Sequence, residues 1–235
     1  MKDGDPKIDP RDCFGWSARA WARPWRAMRR DLGARHWVRG LELGAGPQSS
    51  MAPLMLALAD QVECSVYDPA TLPAVRERNA QLLTTDDAQR LQYTSRDLRA
   101  LEGRWDLIVM KSVLGGVYRE HQSTLSDVHA TLKHLIEDHL QPGGALITLD
   151  NGCTGLSPLF ARFGARRNGW RFFEERDFPE AQARYSFGVL SNFSAATRLG
   201  WVGHRLDDAL YAFDLMFSPL FRRHAVHLHV YRREP

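Results

Sequence analysis

Long apolar runs are missing from this chain of 235 residues. The longest covers residues 51–59, far short of the ~20 residues a membrane-spanning helix needs. That argues against a bilayer crossing. Residues 1–6 are charged and hold no apolar stretch, so no secretory signal is expected. Cysteine is scarce. Cys13, Cys64 and Cys153 are odd in number, scattered and without metal-ligand spacing. A disulfide framework and a metal-binding module are therefore both disfavoured, and free thiols in a reducing cytoplasmic compartment are expected. Charge of one sign is not in large excess either. A net charge of +3 is too mild to argue for nucleic acid. Internal repeats and low-complexity segments are absent. What the chain does have is 44% hydrophobic residues, enough for one sizeable α/β core in a single domain.

The richest stretch is Val38-Arg39-Gly40-Leu41-Glu42-Leu43-Gly44-Ala45-Gly46, followed by Tyr67-Asp68-Pro69. An apolar run ends in an acid and a Gly-x-Gly turn. A helix-like segment over 49–60 comes next, then an apolar run over 62–67 ending in an aspartate. This is a β-loop-α-β-acid unit, the nucleotide-binding half of a doubly wound sheet. Gly44 and Gly46 let the backbone turn tightly and approach a ligand. Asp68, at the carboxyl end of the second strand, is placed to accept both hydroxyls of a ribose.

The dinucleotide fingerprint requires a third glycine, and Ser49 stands there. Pro47 removes an N–H that would face a pyrophosphate. Glu42 repels a pyrophosphate and attracts an ammonium group. A nucleoside with a cationic end fits, and S-adenosylmethionine is one. An NAD-type oxidoreductase fits least.

The turn resembles the Glu/Asp-x-Gly-x-Gly motif of class I S-adenosylmethionine-dependent methyltransferases. Three further segments extend the resemblance. Leu91 to Leu98 is similar to the third strand and its acidic end, and the family implies contact of Asp97 with the adenine amino group, beside Leu98. Trp105-Asp106-Leu107-Ile108-Val109-Met110 is similar to the fourth strand. Leu140-Gln141-Pro142-Gly143-Gly144 is similar to the entry to the fifth. The resemblance implies a seven-stranded, mostly parallel sheet with helices on both faces. The implied cofactor contacts are Glu42, Leu43, Gly44, Ala45, Gly46, Asp68, Pro69, Asp97 and Leu98.

Residues 1–12 are polar and rich in Pro and Asp, and disorder is expected there. Residues 13–36 form a helical prelude. Trp16, Trp21, Trp25 and Met28 share one face of it, and Pro24 predicts a break into two helices. That face packs on the sheet, or also forms a lid over the cofactor. Residues 37–150 are the cofactor-binding core. Strand and helix alternate there, with strands at 38–43, 62–67, 91–94, 107–110 and 145–149 and helices at 49–60, 72–83 and 122–139. Residues 151–235 carry a Gly- and Arg-rich excursion on the substrate side, helix or loop at 185–193, and the last two strands, at 201–204 and 226–231. His227 and His229 share a face of the latter, which suits a half-solvated edge strand better than a metal site.

In such folds the reacting groups lie at strand carboxyl ends. Lys111 and Asp150 end strands four and five, and His121 follows strand four. Each is a candidate general base. The Asn/Asp-Pro-Pro-aromatic motif of amino-group methyltransferases is absent, which disfavours N-methylation of nucleobases or glutamine. No partner aspartate after strand four supports a metal-dependent mechanism. Lys111 to Gly116, with Trp16-Ser17 and Asn168-Gly169-Trp170-Arg171, resembles a bacterial methyltransferase group often found with surface-polysaccharide genes. That likeness implies O-methylation of a sugar or small polar acceptor, held by Trp16, Arg167, Trp170 and Arg171. A binding protein without catalysis and an RNA methyltransferase are the alternatives.

Overall fold

The computed structural model describes residues 8–15, 17–154, 169–190 and 200–235, without the side chains of 203 and 204. Trp16 and Arg167 lie outside the described residues, as does most of the arginine-rich excursion.

Among the described residues, seven strands form one sheet. They are β1 Trp37–Leu43, β2 Ala59–Val66, β3 Leu91–Ser95, β4 Trp105–Lys111, β5 Leu140–Asn151, β6 Ala183–Phe187 and β7 Val226–Arg232. The spatial order is β3-β2-β1-β4-β5-β7-β6. The first five run parallel, and β7 lies antiparallel between β5 and β6. The strand order reverses between β1 and β4. In open α/β sheets a crevice forms at the carboxyl ends flanking such a reversal.

Helices cover both faces: α1 Pro10–Cys13, α2 Ala18–Leu32, α3 Ala52–Met55, α4 Leu72–Ala80, α5 Thr85–Gln89, α6 Val113–Val117, α7 Leu125–His134 and α8 Gly200–Phe217. On one face Trp21, Trp25 and Met28 of α2 pack with Val62, Val109, Ile147 and Leu228. On the other, Leu114, Val128 and Leu132 pack with Leu41, Ile108 and Leu146, under Phe173 and Phe178. Alternate residues of each strand feed opposite cores. Trp21 is fully buried, and emptying such a site costs about 3–5 kcal/mol. The prelude is thus part of the core.

Several sequence expectations differ from the structure. Helix 49–60 shrinks to the four residues of α3, and β2 starts at Ala59. The run 51–59 is buried along nearly its whole length, and in such a run periodicity cannot locate the switch from helix to strand. The prelude is one helix through Pro24, not two. Proline removes one backbone hydrogen bond, and burial of Trp21, Trp25 and Met28 around it outweighs that loss. Within the stretch 1–12, α1 forms a helical turn, because the Asp9 carboxylate accepts from Arg11 N at 2.9 Å. Residues 201–204 belong to α8, and β6 is Ala183–Phe187, which overlaps the helix or loop expected at 185–193. Beta propensity misplaced the strand because Trp201 and Val202 sit on an exposed helix face. His227 and His229 are fully buried, since β7 is an interior strand.

Candidate functional site

The loop after β1 carries the site. Gly44 takes φ +77°, and a Cβ there would stand 2.5 Å from Val113 Cγ2. Both facts demand glycine. Gly46 needs it less, since a Cβ there would meet open space. Glu42 is buried at the base of the loop. Its carboxylate accepts from Met51 N at 2.6 Å, Ala52 N at 2.8 Å and Ser50 Oγ at 2.8 Å. Burial pushes its pKa up, against these hydrogen bonds. Sequence reasoning aimed Glu42 at a ligand ammonium. The structure turns it onto the start of α3 as a helix cap, though it also lines the cleft described below.

That cap decides what the loop can bind. Ala45 N donates to Ser65 O at 2.8 Å, Gly46 N to Ser49 O at 2.9 Å, Ser49 N to Gly46 O at 3.0 Å and Ser50 N to Cys13 O at 3.2 Å. Glu42 takes the next two N–H groups, and Pro47 has none. A pyrophosphate is held by a fan of free N–H groups at a helix start. Here the N–H groups of Ala45, Gly46, Ser49, Ser50, Met51 and Ala52 are already bonded.

A cleft of about 760 Å³ opens over this loop. Leu43, Gly44 and Gly46 line it from β1, Tyr67 from β2, Asp97 and Leu98 from β3, and Lys111, Ser112 and Val113 from β4. Ala45 lies buried behind the loop. Asp68 and Pro69 are exposed just beyond Tyr67. Asp68 and Asp97 are built alike. Each follows a strand and caps a short turn, Asp68 Oδ1 accepting from Ala70 N at 3.0 Å and Asp97 Oδ1 from Arg99 N at 2.9 Å. Ser95 Oγ donates to Tyr67 O at 3.1 Å, tying the two strand ends together.

Lys111 points into the prelude face. Its Nζ lies 4.9 Å from the Trp21 ring centre and 5.9 Å from that of Phe14. Burial lowers its pKa to about 7, while the charges of Glu42 and Asp150 oppose the shift. Sequence reasoning missed Phe14 and Trp21 as neighbours of this amine. Their signal was the aromatic face of the prelude. The segment before α2 also crosses the glycine loop: a Cβ on Gly15 would stand 2.1 Å from Gln48 O, and Ser49 Oγ donates to Cys13 O at 3.2 Å. The prelude therefore packs on the sheet and braces the glycine loop.

The other candidates fall elsewhere. Asp150 follows the alternation of Leu146 and Thr148 onto the opposite face, across from His227 on β7. It does not line the cleft. Burial pushes its pKa up to about 7, against the Thr148 hydroxyl and the Lys111 charge. His121 is exposed near Gly169, and its neighbours Arg119 and Gln122 line the cleft instead. Trp170 lines it too, against Gly116. Arg171 does not. Its guanidinium donates to the carbonyls of Tyr118 and Ser123, strapping the loop after α6. Its own N–H donates to Gly115 O at 3.0 Å. So bound, its guanidinium braces the loop after α6. Among the described residues no group of three His, Cys, Asp or Glu could hold a metal ion, and no helix is long and apolar enough to cross a membrane.

Asp150→Asn should therefore raise stability and leave the cleft intact. The folded pKa lies above the ordinary 3.8, so the fold holds a proton that the unfolded chain releases between about 4 and 7. The ionised acid destabilises the fold fully above pH 7 and not at all below pH 4. The melting midpoint of the variant should match wild type at pH 4 and exceed it at pH 8, by about 2–4 °C per kcal/mol. Equal midpoints at both values would show that Asp150 is solvated.

No protein-family model matches the chain, and no curated protein matches it. Solved structures do. An N-methyltransferase, NodS, from Bradyrhizobium japonicum, in complex with S-adenosylhomocysteine, aligns over 93% of this chain and 88% of its own, with TM-score 0.53 and 14% identity. Phosphoethanolamine N-methyltransferase 2 from Haemonchus contortus, in complex with S-adenosylmethionine, aligns over 92% of this chain and 53% of its own, with TM-score 0.53 and 13% identity. A putative sarcosine dimethylglycine methyltransferase from Galdieria sulphuraria aligns over 92% and 85%, with TM-score 0.51 and 11% identity. At these identities the likeness is one of fold: the chain has the α/β fold of class I methyltransferases.

Proposed function

We propose that the protein is an S-adenosylmethionine-dependent methyltransferase acting on a small or glycosidic acceptor, at oxygen. One observation carries the choice of cofactor. Six N–H groups of the glycine loop and the turn after it, from Ala45, Gly46, Ser49, Ser50, Met51 and Ala52, are bonded within the protein, while Asp68 and Asp97 stand at the ends of β2 and β3. Such a site suits a nucleoside without phosphates and does not suit a dinucleotide. Asp68 would accept from the ribose hydroxyls and Asp97 from the base amino group, with Leu98, Val113 and Val117 as apolar walls. When bound, the cofactor supplies a methyl group on a sulfonium.

The chain's own part is alignment and proton removal. Most of the rate in such a displacement comes from holding nucleophile and methyl at about 3–3.5 Å. A hydroxyl must also lose its proton. Lys111 lines the cleft, its amine is buried against Phe14 and Trp21, and that burial lowers its pKa to about 7; the neutral amine is the proposed base. Trp170, Arg119 and Gln122 line the same cleft and offer a flat ring and polar groups to a sugar or a carboxylate- or phosphate-bearing acceptor.

Calorimetry tests the reading. S-adenosylhomocysteine should bind at micromolar levels, roughly −8 kcal/mol, and NAD should not bind. Asp68→Ala should weaken binding at least tenfold, since each charge-assisted hydrogen bond contributes about 1.5–3 kcal/mol. NAD binding without a response to the adenosyl ligand would overturn the reading. Adenosyl binding with no methylated product in a mass-resolved screen of hydroxyl and amine acceptors would reduce it to a binding protein.

A further inference from the structure

The last residue of α7, His134, leads into a π-helical turn, Leu135–His139. In an α-helix, side chains five positions apart point about 140° away from each other. The i→i+5 pattern of a π-turn brings them to one side, and such turns are rare and recur at functional sites. Here the turn sets His134 and His139 tip to tip. Their Nε2 atoms lie 3.2 Å apart and their ring centres 4.8 Å apart. His139 is buried, while half of the His134 side chain is exposed.

The outer nitrogens fix the state of the inner ones. His139 Nδ1 stands 2.9 Å from Gly103 O. A carbonyl only accepts, so this nitrogen carries the hydrogen. His134 Nδ1 stands 2.6 Å from Asp138 Oδ2, and a carboxylate oxygen likewise accepts. A neutral imidazole holds one hydrogen. Both Nε2 atoms are therefore left with lone pairs that face each other, an arrangement that is repulsive unless a cation lies between them. We infer that His134 and His139 form a binding site for a divalent cation of the zinc, nickel or copper type, on the sheet edge opposite the cleft.

Three features select such a metal. A tetrahedral zinc with Zn–N bonds of about 2.0–2.1 Å separates two ligand nitrogens by about 3.3 Å, close to the 3.2 Å between these two. Each outer N–H already donates, one to a carboxylate and one to a carbonyl, the contacts that orient metal-bound histidines and raise their basicity. Imidazole nitrogens suit zinc, nickel and copper, whereas magnesium and calcium take oxygen ligands. With two protein ligands the shell is open, and water can complete it on the exposed side of His134. Lys133 is turned to Glu137 at 3.8 Å. The placement gives the ion a structural task. His139 precedes β5 and Gly103 precedes β4, at the amino ends of those strands. A bound metal would pin the end of α7 to the loop before β4, and neither histidine lines the cleft.

Calorimetry of the untagged, metal-free full chain with Zn²⁺ tests this. Wild type should bind one ion per chain at micromolar levels, and Mg²⁺ should give no heat. At a hundredfold excess over Kd, Zn²⁺ should raise the melting midpoint by about 5–10 °C. His134→Gln should lose both effects with an unchanged circular dichroism spectrum, because its side chain is half-exposed. Asp138→Asn should keep the site and weaken Zn²⁺ binding by about 10–100-fold. His121→Gln, on the exposed loop after α6, should bind as wild type does. With Cu²⁺ in place of Zn²⁺, electron paramagnetic resonance should show coupling to two imidazole nitrogens. Undiminished Zn²⁺ binding in His134→Gln would place the ion elsewhere and overturn the proposal. So would a wild type that binds no Zn²⁺ at millimolar levels, which would leave a shared proton as the cation between the rings.

Discussion

Gly44→Val should abolish cofactor binding, with at least a hundredfold loss in affinity for S-adenosylhomocysteine by calorimetry. Two independent penalties act at one atom. A φ of +77° is strained for any side chain, and most for a β-branched one. The added carbon would also press on Val113 Cγ2 at 2.5 Å. Either the loop moves off β1 or α6 moves off the loop, and both elements line the cleft. Gly46→Ala is the informative companion. Its Cβ meets nothing in the protein, so its melting midpoint should match wild type. If the cofactor packs against this turn, affinity should still fall. Wild-type affinity in Gly44→Val would mean that the ligand does not lie over the glycine loop.

The second large effect belongs to Lys111. Lys111→Met should lower kcat by about 10²–10⁴, the range for loss of a general base. Affinity for S-adenosylhomocysteine should change less than threefold. The kcat/KM of wild type should rise with pH through about 7, as the amine loses its proton, and the variant should lack that limb. Stability supplies a check that needs no acceptor. The folded pKa lies below the ordinary 10.5, so between about 7 and 10.5 the unfolded chain holds the extra proton and stability climbs with pH. Below 7 the buried ammonium destabilises the fold fully. Lys111→Met should melt higher than wild type at pH 6, and the gap should close toward pH 10.5. A full kcat in the variant would remove Lys111 from the chemistry, and a gap independent of pH would show that the amine is not desolvated.

Much of the core was legible along the chain because its signals are local. A Gly-x-Gly turn, an acid after an apolar run and the Leu-x-Pro-Gly-Gly entry to β5 need only neighbouring residues to be recognised. They located β1 to β5 within a few residues, save the early starts of β2 and β5. The glycine requirement at Gly44 also came through. The cap role of Glu42 did not, because it depends on where α3 begins. β6 was misplaced because an edge strand with a mixed burial pattern carries a weak period, while Trp201 and Val202 mimic one.

The sequence by itself determined the alternation of strands and helices, the parallel core and the acids that follow β2 and β3. Hydrophobic period and turn chemistry are written in consecutive residues. Only the tertiary structure decided the partners. Lys111 and Asp150 end neighbouring strands, yet Lys111 meets Phe14 and Trp21 while Asp150 lies opposite His227. Parity along each strand sends them to opposite faces, and the packing of the prelude sets what each one meets. Arg171 likewise stands in a basic stretch of the sequence, and in the fold its guanidinium meets the carbonyls of Tyr118 and Ser123, because a guanidinium is claimed by whichever carbonyls come within reach. Those distances are set by side chains far apart in the chain, and no local pattern encodes them.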